Sequence, residues 1–259
     1  MPDRFFDAAV FDLDGVITLT ARVHAAAWKQ LFEDYLRSRQ QRFGEPFREF
    51  DEQRDYHKFV DGKPRYDGVR SFLESRGIHL AQGTPADPPD AETVCGLGNR
   101  KNALFNKKVD ELGVDVDHDA VRFVRQLRDG GIRVGLASSS KNAEPILKRV
   151  GLLDLFEAIV DGKVSECLGL RGKPQPDIFL KCLEQLLPSA DPRRAMVVED
   201  AISGVEAGRN GGFGLVLGVD RNHQSSALQE HGADWVIRSF SEISTAAVTD
   251  YFRSRAHVA

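Results

Sequence analysis

The sequence has few cysteines and lacks any long apolar run. Its 259 residues include only three cysteines. These are Cys95, Cys167 and Cys182, which lie far apart and form no CxxC pair. We therefore expect neither a disulfide framework nor a zinc site. No apolar run is long enough to span a membrane, and residues 1–7 lack the basic-then-apolar layout of a signal peptide. These absences predict a soluble, cytoplasmic protein.

Strongly basic stretches are also absent. The 35 Lys and Arg residues are spread along the chain and are outnumbered by 39 Asp and Glu residues, which gives a net charge of −4. Because a nucleic-acid-binding surface concentrates basic residues on one face, we expect no nucleic-acid partner. Hydrophobic residues make up 41% of the chain and charged residues 29%, which is an ordinary globular balance. The length allows one large domain or one domain that carries an insertion.

Short apolar runs alternate with helical patterns over much of the chain. The apolar runs are bounded by residues typical of strand ends, and they cover residues 8–13, 133–137, 195–198, 214–217 and 235–237. Helices are predicted from apolar spacing and stop signals over residues 120–130, 142–150, 177–187 and 201–209. Strands that alternate with helices predict an α/β fold, with a parallel sheet covered by helices on both faces.

The stretch between the first two predicted strands has a different character. It is charged, mostly helical in pattern and without clear strands. An amphipathic helix is predicted over residues 25–36, where Trp28, Leu31 and Phe32 share one side. We therefore expect a core domain and a helical domain inserted after the first strand, with the core at residues 1–20 and 113–259 and the insertion at residues 21–112.

Acidic pairs follow two of the predicted strands. Asp12 and Asp14 lie on the same side of the first strand end, because side chains alternate with a period of two. Glu199 and Asp200 follow the strand at residues 195–198. Like charges this close repel one another unless a cation lies beside them or one of them holds a proton. The alternative interpretations are a turn or capping pair at Asp12 and Asp14, and a helix N-cap at Asp200.

Polar residues cluster at three strand ends, which is where ligands of parallel α/β sheets bind. Four acids at two of these ends suit a hard cation with oxygen ligands, namely magnesium. At the third end, residues 137–142 offer hydroxyls and a helix N-terminus that favour an anion, although a plain N-cap is the common alternative. Lys173 lies in the segment GKPQPD, where two prolines stiffen the chain; a solvated lysine is the alternative.

The order of these motifs resembles that of the haloacid dehalogenase superfamily. Its four motifs match at DLDGV, which begins at Asp12, at LASSS, which contains Ser138, at Lys173, and at Glu199-Asp200. Longer matches, at FDLDGVITLTARVHAAAW, LASSSKN, GKPQPDIFL and VVEDAISGVEAGRNGG, make nearly the whole chain similar to the β-phosphoglucomutase-like subfamily. The resemblance implies a Rossmann-like parallel sheet core with an inserted α-helical cap domain.

The resemblance also implies a role for each matching core position. Asp12 attacks phosphorus and becomes a phosphoaspartate, and Asp14 acts as general acid and base toward a sugar hydroxyl. Ser138 and Lys173 hold the transferring phosphoryl group. The implied cofactor is Mg²⁺, with ligands from the side chain of Asp12, the backbone carbonyl of Asp14, and the side chains of Glu199 and Asp200. Phosphoryl oxygens would repel an anionic nucleophile unless Mg²⁺ and a lysine neutralised them.

A mutase that moves phosphate between two positions of one sugar needs a second phosphate site. The resemblance implies that this site uses a cap arginine and a Ser-Lys-Asn run, which are Arg65, Ser140, Lys141 and Asn142 in this sequence. Other cap positions that the resemblance assigns to the substrate side are Thr20, His24, Lys101 and Asn102. A surface arginine and a packed histidine are the alternative interpretations of Arg65 and His24.

Three functions remain open at this point. The first is a β-phosphoglucomutase-type reaction, from β-D-glucose 1-phosphate to glucose 6-phosphate, with glucose 1,6-bisphosphate as intermediate and activator. The second is a sugar-phosphate phosphatase of the same fold, and the third is a non-catalytic sugar-phosphate binding module. The first two differ in whether a sugar hydroxyl or water reaches the phosphoaspartate. The resemblance also implies a monomer whose partner is a small-molecule sugar phosphate.

Overall fold

The computed structural model describes residues 4–52 and 54–256. Six strands within these residues form a parallel sheet with the order β3-β2-β1-β4-β5-β6. The strands are β1 Ala8–Phe11, β2 Arg133–Ala137, β3 Ala158–Val160, β4 Ala195–Glu199, β5 Leu215–Val219 and β6 Trp235–Ile237. Parallel neighbours require crossover connections, which helices usually supply.

The described part of the chain contains ten α-helices. They are α1 Ala21–Phe43, α2 Arg65–Ser75, α3 Val94–Leu112, α4 His118–Asp129, α5 Ala143–Arg149, α6 Gly162–Leu168, α7 Asp177–Leu186, α8 Ile202–Asn210, α9 Ser225–Glu230 and α10 Thr245–Ala256. A short π-helical segment, Tyr56–Val60, precedes α2. Among the described helices, none combines the length and the apolarity that crossing a membrane requires.

The core of the sheet lies along its central strands. Every position of β1, β4 and β5 is buried, because a parallel sheet is covered on both faces. Helix α7 packs against β1, β2 and β3. Its buried face, with Ile178, Phe179, Cys182, Leu183 and Leu186, follows the helical spacing expected from the sequence. Helix α8 packs against β4 and β5, so the strands that carry the acidic pairs are fixed by apolar packing.

The chain divides into two compact units. The first contains the sheet and comprises the chain up to Leu19 and from Asp115 onward, and the second is Thr20–Val114. The second unit is helical, and its α1 packs against α3. Its core is a cluster of aromatic rings: the Phe32 ring lies 4.0 Å from that of Phe72 and 5.2 Å from that of Trp28. An α/β fold with an inserted helical unit is therefore confirmed.

Several element bounds differ from those expected. The run at residues 8–13 is longer than β1, because after Phe11 the chain turns and the backbone N–H groups of Ile17 and Thr18 donate to the Leu13 carbonyl. Strand β3 was not predicted, since three residues are too few to show a period. Helix α1 continues to Phe43, seven residues beyond the apolar stripe that predicted it at residues 25–36.

Candidate active site

The carboxyl ends of β1 and β4 lie side by side and bring two acidic segments together. The strands pair in parallel with Phe11 opposite Val198, and the backbone N–H of Asp12 donates to the Val198 carbonyl at 3.0 Å. Asp12 and Glu199 therefore leave neighbouring strands at the same edge of the sheet. Carboxylate oxygens of Asp12, Glu199 and Asp200 lie within 4.8 Å of one another.

Lys173 lies inside this acidic cluster. Its Nζ donates to Asp12 Oδ1 at 2.6 Å and to Glu199 Oε1 at 2.5 Å, and only 1% of its side chain is exposed. The ammonium also lies 4.8 Å from the centre of the Phe179 ring. Burial lowers the pKa of Lys173, but the charges of Asp12 and Glu199 outweigh it and raise this pKa above its usual value. The solvated-lysine interpretation is therefore wrong.

Burial has the opposite consequence for the nucleophile candidate. Burial, together with the negative charges of Glu199 and Asp14, raises the pKa of Asp12 to about 8. The positive charge of Lys173 lowers this pKa but offsets the rise only in part. In the metal-free protein, the raised pKa favours the protonated form of Asp12 over the ionised form. A cation placed among these acids would favour the ionised carboxylate and displace that proton.

The donor set of the cluster fits magnesium. Three carboxylates and one ammonium leave two formal negative charges, which a divalent cation would neutralise, and hard oxygen donors are the ligands that Mg²⁺ prefers. Glu199 has a fixed orientation, because its Oε2 accepts from the backbone N–H of Ala201 at 2.8 Å. Asp200 directly precedes Ala201, which is the N-cap residue of α8 and makes no side-chain cap bond.

Two glycines leave room for these carboxylates. A Cβ on Gly204 would lie 1.8 Å from Glu199 Oε1, and a Cβ on Gly15 would lie 1.8 Å from Asp200 Oδ2. Gly15 also has a φ of +87°, which side chains strongly disfavour. Any larger residue at either position would displace an acid of the cluster.

Asp14 lies in the turn that follows β1. Its carboxylate is not among the three that form the cluster. The turn is closed by a bridge between Asp14 and Thr18, and the backbone N–H of Gly15 donates to the Thr18 carbonyl at 2.6 Å. A hydrogen bond from Thr18 Oγ1 to the Leu13 carbonyl adds to this closure. Asp14 is thus held on a compact turn next to Asp12.

The serine segment follows β2, on the other side of β1. Ser138 is buried, and its Oγ accepts from the Ser140 backbone N–H at 3.1 Å. The Ser140 Oγ accepts from the backbone N–H of Asn142 at 3.2 Å. Asn142 is the N-cap residue of α5 but makes no side-chain cap bond. Lys141 Nζ donates to Glu166 Oε1 at 2.7 Å. The hydroxyls thus organise a loop at the end of β2.

The helical unit pairs four of the expected substrate-side residues. Arg65 donates to Asn102 Oδ1 at 2.8 Å, and Lys101 Nζ lies 2.7 Å from His24 Nδ1. The His24 ring stacks on a phenylalanine, Phe105, at 4.0 Å, and Lys101 is buried. Thr20, also buried, is the N-cap residue of α1. His24 lies on α1, Arg65 on α2, and Lys101 and Asn102 on α3, so the packing of these helices on one another fixes their spacing.

Four residues of these surroundings were not predicted from the sequence. They are Phe179 beneath Lys173, Gly204 against Glu199, Glu166 beside Lys141, and Arg221, which donates to the Gly15 carbonyl at 2.7 Å. Arg221 could have been recognised from the sequence, because it follows the end of β5 and ligands of parallel sheets bind at the strand ends. Phe179 belonged to a predicted apolar helix face, which gave no sign of the ammonium above it.

Comparisons with known proteins agree with this geometry. A family model for haloacid dehalogenase-like hydrolases matches residues 6–212. A Mycobacterium bovis protein named β-phosphoglucomutase is 45% identical over 91% of this chain and 90% of that protein. A Thermotoga maritima protein named phosphorylated carbohydrates phosphatase is 29% identical over 88% of this chain and 92% of that protein. The structure of a β-phosphoglucomutase from Clostridium difficile has a TM-score of 0.74 and 24% identity, covering 97% of this chain and 99% of that chain.

The fold and the acidic site define an enzyme of the haloacid dehalogenase type. The chain belongs to the haloacid dehalogenase-like hydrolase family and, within it, to the β-phosphoglucomutase-like subfamily. A mutase and a phosphatase are the two activities that this membership leaves open, and the non-catalytic binding module is excluded.

Proposed function

We propose that this protein is a magnesium-dependent β-phosphoglucomutase that works through a phosphoaspartate at Asp12. It interconverts β-D-glucose 1-phosphate and glucose 6-phosphate, with glucose 1,6-bisphosphate as intermediate and activator. The observation that carries the proposal is the buried Lys173 ammonium, 2.6 Å from Asp12 Oδ1 inside a cluster of acids. An ammonium in this position holds the nucleophilic oxygen in place and offsets the charge of an incoming phosphoryl group.

Magnesium would be held by the side chains of Asp12, Glu199 and Asp200 and by the backbone carbonyl of Asp14. When bound, it supplies charge neutralisation for the phosphoryl oxygens. The protein's own residues orient the reactants: Lys173 fixes Asp12, and Ser138 presents its hydroxyl at the neighbouring strand end. Phosphoryl transfer depends mainly on such positioning and charge stabilisation.

Each transfer moves one phosphoryl group and one proton. In the forward half-reaction, the 6-hydroxyl of β-D-glucose 1-phosphate attacks phospho-Asp12, the acyl-phosphate P–O bond breaks, and Asp14 takes the hydroxyl proton. In the return, Asp12 attacks the 1-phosphate of the bisphosphate and Asp14 returns its proton to the leaving C1 oxygen. Glucose 6-phosphate departs and phospho-Asp12 is restored. Asp14 suits this role because the turn holds it close to Asp12.

The residues that the resemblance assigns to a distal phosphate support the mutase over simple hydrolysis. A bisphosphate must be held at both ends, and each compact unit carries candidates for holding the distal end: Arg65 and Asn102 in the helical unit, and Ser140, Lys141 and Asn142 in the sheet unit. The 45% identity to a protein named β-phosphoglucomutase supports the same choice. A helical cap that excludes water would let the sugar hydroxyl compete successfully for the phosphoaspartate.

A sugar-phosphate phosphatase is the second candidate. The similarity to the Thermotoga maritima phosphatase covers 88% of this chain, and the same Asp12 chemistry would serve it. Water would then replace the sugar hydroxyl, and Asp14 would take a proton from that water. The two functions thus share every core residue and differ in the acceptor.

A coupled assay separates them. The purified protein is given β-D-glucose 1-phosphate, Mg²⁺ and a trace of glucose 1,6-bisphosphate, and glucose 6-phosphate and inorganic phosphate are measured together. The mutase predicts glucose 6-phosphate without free phosphate. Release of one phosphate per sugar consumed would instead establish the phosphatase.

A matched pair of variants tests the distal site. Arg65→Ala should reduce mutase turnover far more than hydrolysis of p-nitrophenyl phosphate, because the small ester has no distal phosphate. Arg70→Ala is the control: Arg70 lies on the same helix, is 41% exposed and pairs with Asp67. Equal losses of both activities in Arg65→Ala would remove Arg65 from the distal site.

A further inference from the structure

The turn that carries Asp14 is fixed on both sides of Gly15. The Gly15 N–H donates to the Thr18 carbonyl at 2.6 Å, and the Gly15 carbonyl accepts from Arg221 Nε at 2.7 Å. Glycine has no side chain to limit its backbone, so these two bonds define the orientation of the peptide units around it. One of those units contains the Asp14 carbonyl, and the Asp14 side chain precedes it directly.

The guanidinium of Arg221 makes a second contact through another of its nitrogens. Its Nη2 donates to Asp117 Oδ2 at 2.5 Å, and the side chain is only 19% exposed. A planar guanidinium can satisfy two acceptors in fixed directions, whereas an ammonium presents a single point charge. The residue thus joins the Gly15 turn to Asp117 with one rigid group.

Asp117 anchors the chain that returns from the helical unit. Its Oδ1 accepts from the backbone N–H groups of Asp119 and Ala120, as the N-cap of α4. Its own backbone N–H donates to the Ile17 carbonyl at 3.0 Å, and the Leu19 N–H donates to the Asp115 carbonyl at 2.9 Å. The outgoing and returning segments therefore form a short antiparallel ribbon in the sheet unit, and Arg221 spans its base.

We propose that Arg221 is a positioning residue for Asp14, which acts by holding the Gly15 turn against Asp117. The inference rests on the proposed function, in which Asp14 exchanges a proton with the sugar oxygen. Without the guanidinium, the Gly15 carbonyl loses its partner and the turn gains freedom. Asp14 then spends less time in the geometry that proton transfer requires, while Asp12 remains held by Lys173.

Leaving-group dependence tests this inference. The measurement is kcat/KM for β-D-glucose 1-phosphate and for p-nitrophenyl phosphate, whose nitrophenolate departs without needing a proton. Arg221→Ala should lower kcat for the sugar phosphate by about tenfold or more with little change in KM, while kcat/KM for p-nitrophenyl phosphate changes by less than about threefold. Asp117→Asn, which keeps an oxygen for the α4 cap, should shift the two substrates in the same unequal way.

Controls separate this role from simple stabilisation. Arg193→Ala, at a guanidinium that is 83% exposed and pairs with Asp191, should leave both activities unchanged. Arg221→Lys should restore thermal stability more fully than it restores sugar turnover, since one ammonium cannot bridge both acceptors. Equal losses on both substrates, or full recovery of sugar turnover in Arg221→Lys, would overturn the proposal. A wild-type protein that is inactive on both substrates would instead refute the proposed function.

Discussion

At the scale of single residues, the chemistry depends on one buried ammonium between two buried carboxylates. Lys173 bonds to both Asp12 and Glu199, and all three side chains are less than one-tenth exposed. Removing one member of such a set leaves the others buried without compensation. The arrangement is thus more sensitive to loss of charge than to small changes of shape.

Lys173→Met tests this sensitivity. Methionine approximates the length of lysine without its charge, so the two carboxylates would face each other and Asp12 would hold its proton more tightly. We expect kcat to fall by about a hundredfold or more. Lys181→Met serves as control because Lys181 is 30% exposed and pairs with Glu184. Retention of more than a tenth of wild-type kcat in Lys173→Met would contradict this account.

The raised pKa of Asp12 predicts a pH-dependent affinity for magnesium. The pKa is raised from 3.8 to about 8, so between these values the folded, metal-free protein holds a proton that the unfolded chain does not. This group therefore favours the folded state most at low pH, and the benefit is lost as pH rises through 8. Because Mg²⁺ must displace the proton, its affinity should increase about tenfold per pH unit up to pH 8 and then level off.

Calorimetry in buffers of different ionisation enthalpy measures both the affinity and the proton release. About one proton should be released per Mg²⁺ at pH 6.5 and almost none at pH 9. Asp12→Asn should abolish this release. An affinity that is constant between pH 6 and pH 8 would contradict the shifted pKa.

Much of the residue-scale chemistry could be predicted, because the ends of buried strands can be recognised in the sequence. Asp12, Glu199 and Asp200 each follow an apolar run, and parallel strands bring such ends to one edge. The contact between Lys173 and Asp12 could not be derived from the sequence around Lys173. The two residues are 161 positions apart in the chain, and only the order of the strands in the sheet brings them together. The resemblance implied the role of Lys173, and the structure shows its contact with Asp12.

At the scale of elements, the helical unit depends on an aromatic core. Phe72 is fully buried, and its ring lies 4.0 Å from Phe32 and 5.1 Å from Phe50. The apolar stripe of α1 predicted one side of this cluster. Phe50 was not predicted, because it lies outside the regular helices and its burial depends on the folding of the loop around it.

Phe72→Ala should destabilise the helical unit by about 3–5 kcal/mol, because it removes a large buried ring and leaves a cavity. Chemical denaturation, followed by the fluorescence of Trp28 in the same core, measures the change. Phe43→Ala is the matched control: its ring is 56% exposed, so the change should stay within about 0.5 kcal/mol. Similar losses for the two variants would show that the ring cluster is not the core of this unit.

At the scale of the whole molecule, few of the large apolar side chains that the structure describes reach solvent. Among the described residues, the exposed ones are Leu19, Phe43, Leu112 and Leu168, two in each compact unit. Stable homodimers usually bury an extended apolar face. The fold class followed from the alternation of strands and helices, whereas the outgoing and returning ribbon depends on hydrogen bonds between distant segments, which no local pattern reveals.

Because few of the described large apolar side chains are exposed, we predict a monomer in solution. Analytical ultracentrifugation should give a single species with a mass near the 28.8 kDa of the chain, at all concentrations from the assay range upward. Addition of Mg²⁺ and substrate should leave the mass unchanged. A concentration-dependent species of twice this mass would contradict the prediction.

The most direct test of the central claim is to locate the transferred phosphoryl group. The protein is turned over with Mg²⁺ and β-D-glucose 1-phosphate plus a trace of the bisphosphate, quenched in acid and reduced with borohydride, which converts an aspartyl phosphate to homoserine. Peptide mass spectrometry should find homoserine at position 12 and nowhere else, and none when Mg²⁺ is chelated. Reduction at another residue, or full turnover by Asp12→Asn, would contradict the claim that Asp12 is the nucleophile.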